Sequence, residues 1–158
     1  MFQLAAVNSA ARTPMGDDPL QFDARLICKL VADHADLNTR VAALDFDPEL
    51  KQQSVRKCAM RLVELRRIES LRVYPLIARS IEGDADAQRQ FLQLRLLMLR
   101  LARCFQRRCE ELSRDIGLGD NIRVATDKLA EALAEYRRHN ETEIYPLYEL
   151  IGMRRVAA

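Results

Sequence analysis

The chain contains no tryptophan and only two histidines, and aromatic residues make up 6% of it. Glycine and proline are scarce at five each, which excludes collagen-like and low-complexity classes. No apolar run approaches the ~18 residues of a membrane span. The opening stretch MFQLAAVNSAARTPMGDDP has neither a basic leader nor a long apolar centre, so it is not expected to act as a signal peptide. The four cysteines (Cys28, Cys58, Cys104 and Cys109) form no CxxC pair. Three of them fall at helical core positions, where a free thiol packs as a small hydrophobe. That usage suits a reducing compartment and predicts a cytoplasmic location. Charge of a single sign is lacking too: 25 basic residues face 23 acidic ones, so net charge names no nucleic-acid partner. GxSxG, P-loop and GxGxxG motifs are missing, and no Cys–His pair stands out by spacing. No enzyme is expected.

What is present is a chain of 158 residues, 49% hydrophobic and 30% charged, long enough for one domain with a single core. Leu30, His34, Leu37, Val41 and Leu44 recur at steps of three and four, the mark of one buried helical stripe. Asp18-Pro19 before it and Asp47-Pro48 after it read as helix openings, with an Asp cap and a proline at the first helical position. A second stripe holds Cys58, Leu62, Leu65, Glu69 and Leu76 and ends at Gly83. Asp84 or Asp86 caps a third, with Phe91, Leu94, Met98, Leu101, Phe105 and Leu112. After IGLGDN (116–121), Asp120 caps a fourth that runs to Gly152, with Leu129, Leu133, Tyr136, Asn140 and Leu147 inward. No β-branched run alternates with period two. The expectation is an all-α, antiparallel up-down-up-down four-helix bundle over residues 19–152. A flexible N-terminal arm (1–18) precedes it and a short C-terminal tail (153–158) follows.

A repeat lies inside this pattern. Residues 64–76 read ELRRIESLRVYPL and residues 135–147 read EYRRHNETEIYPL. Glu, Arg-Arg and Tyr-Pro-Leu coincide at one fixed offset, and Val73 matches Ile144. Each copy carries a proline inside a helical pattern. Pro75 and Pro146 each remove one i→i−4 bond and are expected to bend their helices.

H-x3-E spacing followed by a Tyr-Pro pair resembles the hemerythrin-like (HHE cation-binding) family over residues 20–152. That resemblance implies a four-helix bundle whose di-iron centre takes histidines and carboxylates from all four helices. His34 in LVADHADLN resembles the first-helix ligand, and Glu69 keeps the carboxylate six residues before Pro75. The remaining places depart from the pattern. Leu65 stands where the second helix would supply histidine, Tyr136 and Asn140 hold the matching places of the fourth helix, and the third offers Leu94, Leu97 and Met98. A histidine-rich di-iron centre draws on more imidazoles than the chain's two. The carboxylate alternative with Glu-x-x-His pairs also fails, because Val31 and Tyr136 precede His34 and His139 by three. The expectation is a degenerate scaffold with no cofactor. His34, Glu69, His139 and Glu143 remain the candidate remnant metal ligands, and Leu65, Met98, Tyr136 and Asn140 the filled-in core around them.

Each singled-out residue has a plainer role beside the sharper one. His34 and Glu69 lie near the middle of their stripes, where unpaired burial is costly. They read first as a structural hydrogen-bonded cluster with Tyr136 or Asn140, and second as the site of one metal ion or small ligand. His139 lies off its stripe's centre and reads as a flank residue, and Glu143 borders the apolar face. On the third helix Arg89, Arg100, Arg103, Arg107 and Arg114 share a narrow arc opposite the Phe91/Met98/Phe105 stripe. Such an arc could meet phosphates or an acidic protein, yet Glu110 and Glu111 adjoin it and no aromatic interleaves it. The first functional expectation is a bacterial-type regulatory or protein-interaction module that could also homodimerise. The others are a single-metal or small-ligand sensor or carrier, and an Arg-stripe nucleic-acid binder.

Overall fold

The computed structural model describes residues 21–44, 48–114 and 121–156, all helix and short connections with no strand among them. Six α-helices make four rods. Leu26–Ala42 (α1) is the first. Pro48–Ile68 (α2) passes through a π turn at Glu69–Val73 into Tyr74–Ser80 (α3). Ala85–Arg114 (α4) is the third. Asn121–His139 (α5) passes through a π turn at Asn140–Ile144 into Tyr145–Val156 (α6). Packing runs α1 on α2, α2 on α4, α4 on α5 and α5 back on α1, with α3 against α6. The ring closes as a four-helix bundle. Arg72 pairs with Asp23 at 3.3 Å and Arg61 with Asp33 at 2.7 Å, which sets α1 and α2 antiparallel.

The core is aliphatic through most of its length. Leu30, Leu37, Leu62, Leu65, Phe105, Leu112, Leu129 and Leu133 are fully buried, one stripe from each rod. Several boundaries differ from the sequence reading. Asp18-Pro19 lies outside the described residues, and α1 starts only at Leu26. Asp23 sets that start: its carboxylate accepts from the Arg25 N–H at 2.9 Å and its carbonyl from the Leu26 N–H at 3.1 Å. Asp47 and Asp120 also lie outside the described residues, as does the 1–18 arm. Of the two candidate caps of α4, Asp84 is the one used, accepting from the Asp86 and Ala87 N–H groups at 3.1 and 3.0 Å. Gly83 before it takes φ 92°, a left-handed turn that glycine makes without penalty.

Gly152 does not end the last helix, which continues to Val156 and so into the segment read as a tail. It is instead the floor for the Phe22 ring, since a Cβ there would stand 2.1 Å from Phe22 Cζ. Phe22 stacks on Tyr148 at 5.0 Å between centroids, and the Tyr148 hydroxyl accepts from the Asp23 N–H at 2.9 Å. The residues before α1 thus strap the first rod to the last.

The prolines do more than remove one bond each. Each follows a π turn, in which the N–H of Tyr74 reaches the carbonyl of Glu69 and that of Tyr145 reaches the carbonyl of Asn140. A wider turn takes the carbonyl four residues back away from the proline ring that would strike it. It also admits one extra residue, so the inward face moves on by one position. Val73 and Tyr74, and likewise Ile144 and Tyr145, are buried as adjacent pairs. Leu147 was expected inward but is 37% exposed, and Tyr148 occupies the core instead.

Candidate functional site

The two π turns carry the polar centre of the bundle. Glu69 and Asn140 each open one of them at the same place in the repeat, and both are fully buried, as is His34 of α1. Glu69 is the hub. Its Oε1 accepts from His34 Nε2 at 3.0 Å and from the Tyr145 hydroxyl at 2.8 Å, and its Oε2 accepts from the Tyr136 hydroxyl at 2.5 Å. Because a carboxylate only accepts, His34 must carry its proton on Nε2. Three of the four rods meet on one carboxylate.

Tyrosine chemistry follows from that arrangement. Burial, and after it the negative charge of Glu69, holds Tyr136 and Tyr145 well above the ordinary phenol range. Tyr74 is raised by the same two causes in the same order, while the Arg95 guanidinium lies over its ring at 5.4 Å. All three phenols stay protonated, and those of Tyr136 and Tyr145 donate to Glu69. The His34 ring lies 5.7 Å from Tyr136 and 6.4 Å from Tyr145 between centroids, so aromatic faces enclose the imidazole.

Three buried atoms stay outside this network. His34 Nδ1 and both polar atoms of the Asn140 carboxamide have no hydrogen-bond partner among the described residues. Asn140 lies close enough to the Tyr136 hydroxyl to favour its ionised form slightly. Leu65 and Met98 lie in the apolar core, 0% and 2% exposed.

The four candidate metal ligands do not come together. His34 and Glu69 meet as expected, but His139 pairs through Nδ1 with Glu143 on its own rod, and its Nε2 lies 3.1 Å from Arg138. Their side chains are 13% and 46% exposed, because His139 sits a quarter turn from the core stripe. Among the described residues no group of three or more His, Cys, Asp or Glu side chains is placed to hold a metal ion. A di-iron centre does not fit these donors, since the cluster offers one imidazole and one carboxylate and three hydrogen bonds already take most of that carboxylate's lone pairs.

The sequence reading passed over Tyr145 and Tyr74 as cluster members. Their signal was the Tyr-Pro pair itself, read for its proline and not for its phenol. On α4, Arg89, Arg100, Arg103, Arg107 and Arg114 are exposed, as their phase predicted. Three of them are engaged within the helix: Arg89 with Asp86 at 3.1 Å, Arg107 with Glu111 at 3.7 Å and Arg114 with Glu110 at 3.7 Å. No helix among the described residues is long and apolar enough to cross a membrane. No protein-family model matches the chain, and no characterised protein or solved structure matches it either.

Proposed function

We propose that the protein is a cytoplasmic, non-enzymatic bundle of hemerythrin-like ancestry that works without a di-iron centre as a regulatory or protein-interaction module. One observation carries this reading: Glu69 accepts from His34, Tyr136 and Tyr145, so protons occupy three of the carboxylate's roughly four acceptor positions. Retaining the scaffold while saturating its centre leaves the outer faces as the working parts. The test is iron content. Protein produced with added iron should be colourless and hold iron far below stoichiometry, whereas stoichiometric iron with a visible absorption band would overturn the proposal.

The unpartnered His34 Nδ1 and Asn140 carboxamide favour one second reading, a sensor or carrier for a single metal ion or small ligand beside His34 and Glu69. Zn²⁺ is the natural probe for an imidazole nitrogen with a carboxylate behind it. A rise in melting temperature with Zn²⁺ that Asn140→Ala and His34→Leu each abolish would support it. An unchanged melting temperature would leave the first reading alone.

A further inference from the structure

Between α2 and α4 lies an open groove of about 690 Å³ with Val55, Ala59 and Cys109 on its floor. Met60 and Val63 stand on its α2 rim, 65% and 48% exposed. Arg56 and Glu64 also line it, one helical turn before and one turn after Met60. Positions four apart share a face of the helix, so the rim reads plus, apolar, minus, with Met60 at its centre.

A pattern that reverses sign about its own midpoint is self-complementary. Rotate a second copy by a half turn about an axis through Met60. The two α2 rims then run antiparallel, the two Met60 side chains meet at the axis, and each Arg56 faces the partner's Glu64. One such axis makes both ion pairs at once and closes the assembly as a two-fold dimer. A foreign helix would have to supply this charge order itself, whereas a second copy always does. The existing contact of Glu64 with Arg61, at 3.0 Å, is an exposed i,i+3 pair of the weak kind that exchanges readily.

We propose that the protein dimerises through this face, with the α2 rims of the two copies packed antiparallel on each other and their α2–α4 grooves turned toward one another. The proposal rests on the interaction-module reading but answers to a different measurement, since iron content and oligomeric state vary separately. Analytical ultracentrifugation of the full chain should show a monomer–dimer equilibrium at or below a concentration on the order of 100 µM. Met60→Glu should leave only monomer. Arg56→Glu alone sets a new carboxylate against the partner's Glu64, and Glu64→Arg alone sets a new guanidinium against the partner's Arg56. Each should raise the dissociation constant about tenfold or more, because opposed like charges act against the pairing.

The decisive arm mixes these two single variants in equal amounts. Each fails to pair with itself. In a mixed dimer, however, one copy is acidic at both positions and the other is basic at both, so both contacts become ion pairs again and the dimer should form at wild-type strength. The double variant Arg56→Glu/Glu64→Arg should dimerise on its own, because it reverses the charge order without losing its self-complementarity. Circular dichroism melts of every variant check that the fold is retained, and all these positions are exposed. A wild type that stays monomeric throughout the range overturns the proposal, including the case in which a different protein occupies the groove. So does a dimer that survives Met60→Glu, or a mixture that pairs no better than its components.

Discussion

At the residue scale the molecule turns on Glu69. Removing its carboxylate strands one imidazole and two phenols at once, and each buried group left unsatisfied costs about 1–3 kcal/mol. His34→Leu removes only one of three donors to Glu69. The double change Glu69→Leu/His34→Leu should therefore cost less than the sum of the two, because the imidazole is no longer stranded. Urea melts of the four proteins measure this coupling, and strictly additive costs would mean that the 3.0 Å contact carries no energy. The same hub sets a pH response. Tyr74, Tyr136 and Tyr145 have their phenols raised in the folded protein by burial and by Glu69, whereas unfolded tyrosine titrates near about 10. The folded state then holds more protons than the unfolded state above that pH. Stability is fully present below about pH 10 and falls as pH rises, by about 1.4 kcal/mol per pH unit for each phenol. Burial, followed by the charges of Cys58 and Glu110, pushes the Cys109 thiol up from 9.0 to about 12, so it adds a fall in the same direction that begins earlier, near about pH 9. Tyrosinate absorbance and helical ellipticity should change together in one alkaline step. Phenols that ionise near pH 10 in a protein still fully helical would contradict this.

At the scale of elements, periodicity made the four rods legible, because an apolar residue every third or fourth position can bury itself only in a helix of that phase. His34, Glu69 and Tyr136 were legible for the same reason, as polar residues at the centres of apolar stripes. What periodicity could not show was the change of phase at the π turns. Leu147 was placed inward on an uninterrupted helical period, and the extra residue admitted at Asn140–Ile144 brings in Tyr148 instead. Tyr145 was missed for the same reason. The duplicated Tyr-Pro marked where the phase would change without saying how. The strap before α1 was illegible because it rests on long-range contacts, Phe22 over Gly152 and against Tyr148 and the Asp23 N–H on the Tyr148 hydroxyl. Gly152→Ala should drive the Phe22 ring off its seat and lower stability by about 1–3 kcal/mol, the usual range for overpacking. Adding Phe22→Ala should return part of the loss, which thermal melts of the pair would show. The arginine face of α4 makes the opposite case. Arg100→Glu, Arg103→Glu and Arg107→Glu together should leave the melting temperature nearly unchanged, since solvent-face changes usually stay within about 0.5 kcal/mol each. A collapse would mean that the face is covered.

At the scale of the whole molecule, four rods lined with leucine have many ways to lie against one another. Leucine meets leucine nearly as well one turn higher or lower, and an aliphatic interior by itself does little to choose among such arrangements. The Glu69 hub is a choice made once, because His34, Tyr136 and Tyr145 reach it from α1, α5 and α6 at one vertical setting only. Sliding any of those rods by a turn would leave a carboxylate and its donors buried apart. The cluster thus works as a key to alignment more than as a source of stability, a role in which a polar interior gives uniqueness in exchange for strength. Replacing the whole set, as His34→Leu/Glu69→Leu/Tyr136→Phe/Tyr145→Phe, should keep the helical content and hold the melting temperature near that of the wild type. Its near-ultraviolet circular dichroism and amide NMR dispersion should nonetheless shrink toward those of a bundle without one fixed packing. A quadruple variant with sharp, fully dispersed spectra would show that the apolar layers alone select the alignment. Under the proposed ancestry, the place where a metal once sat persists in this chain as a lock on geometry, a single point from which the vertical setting of the rods is measured.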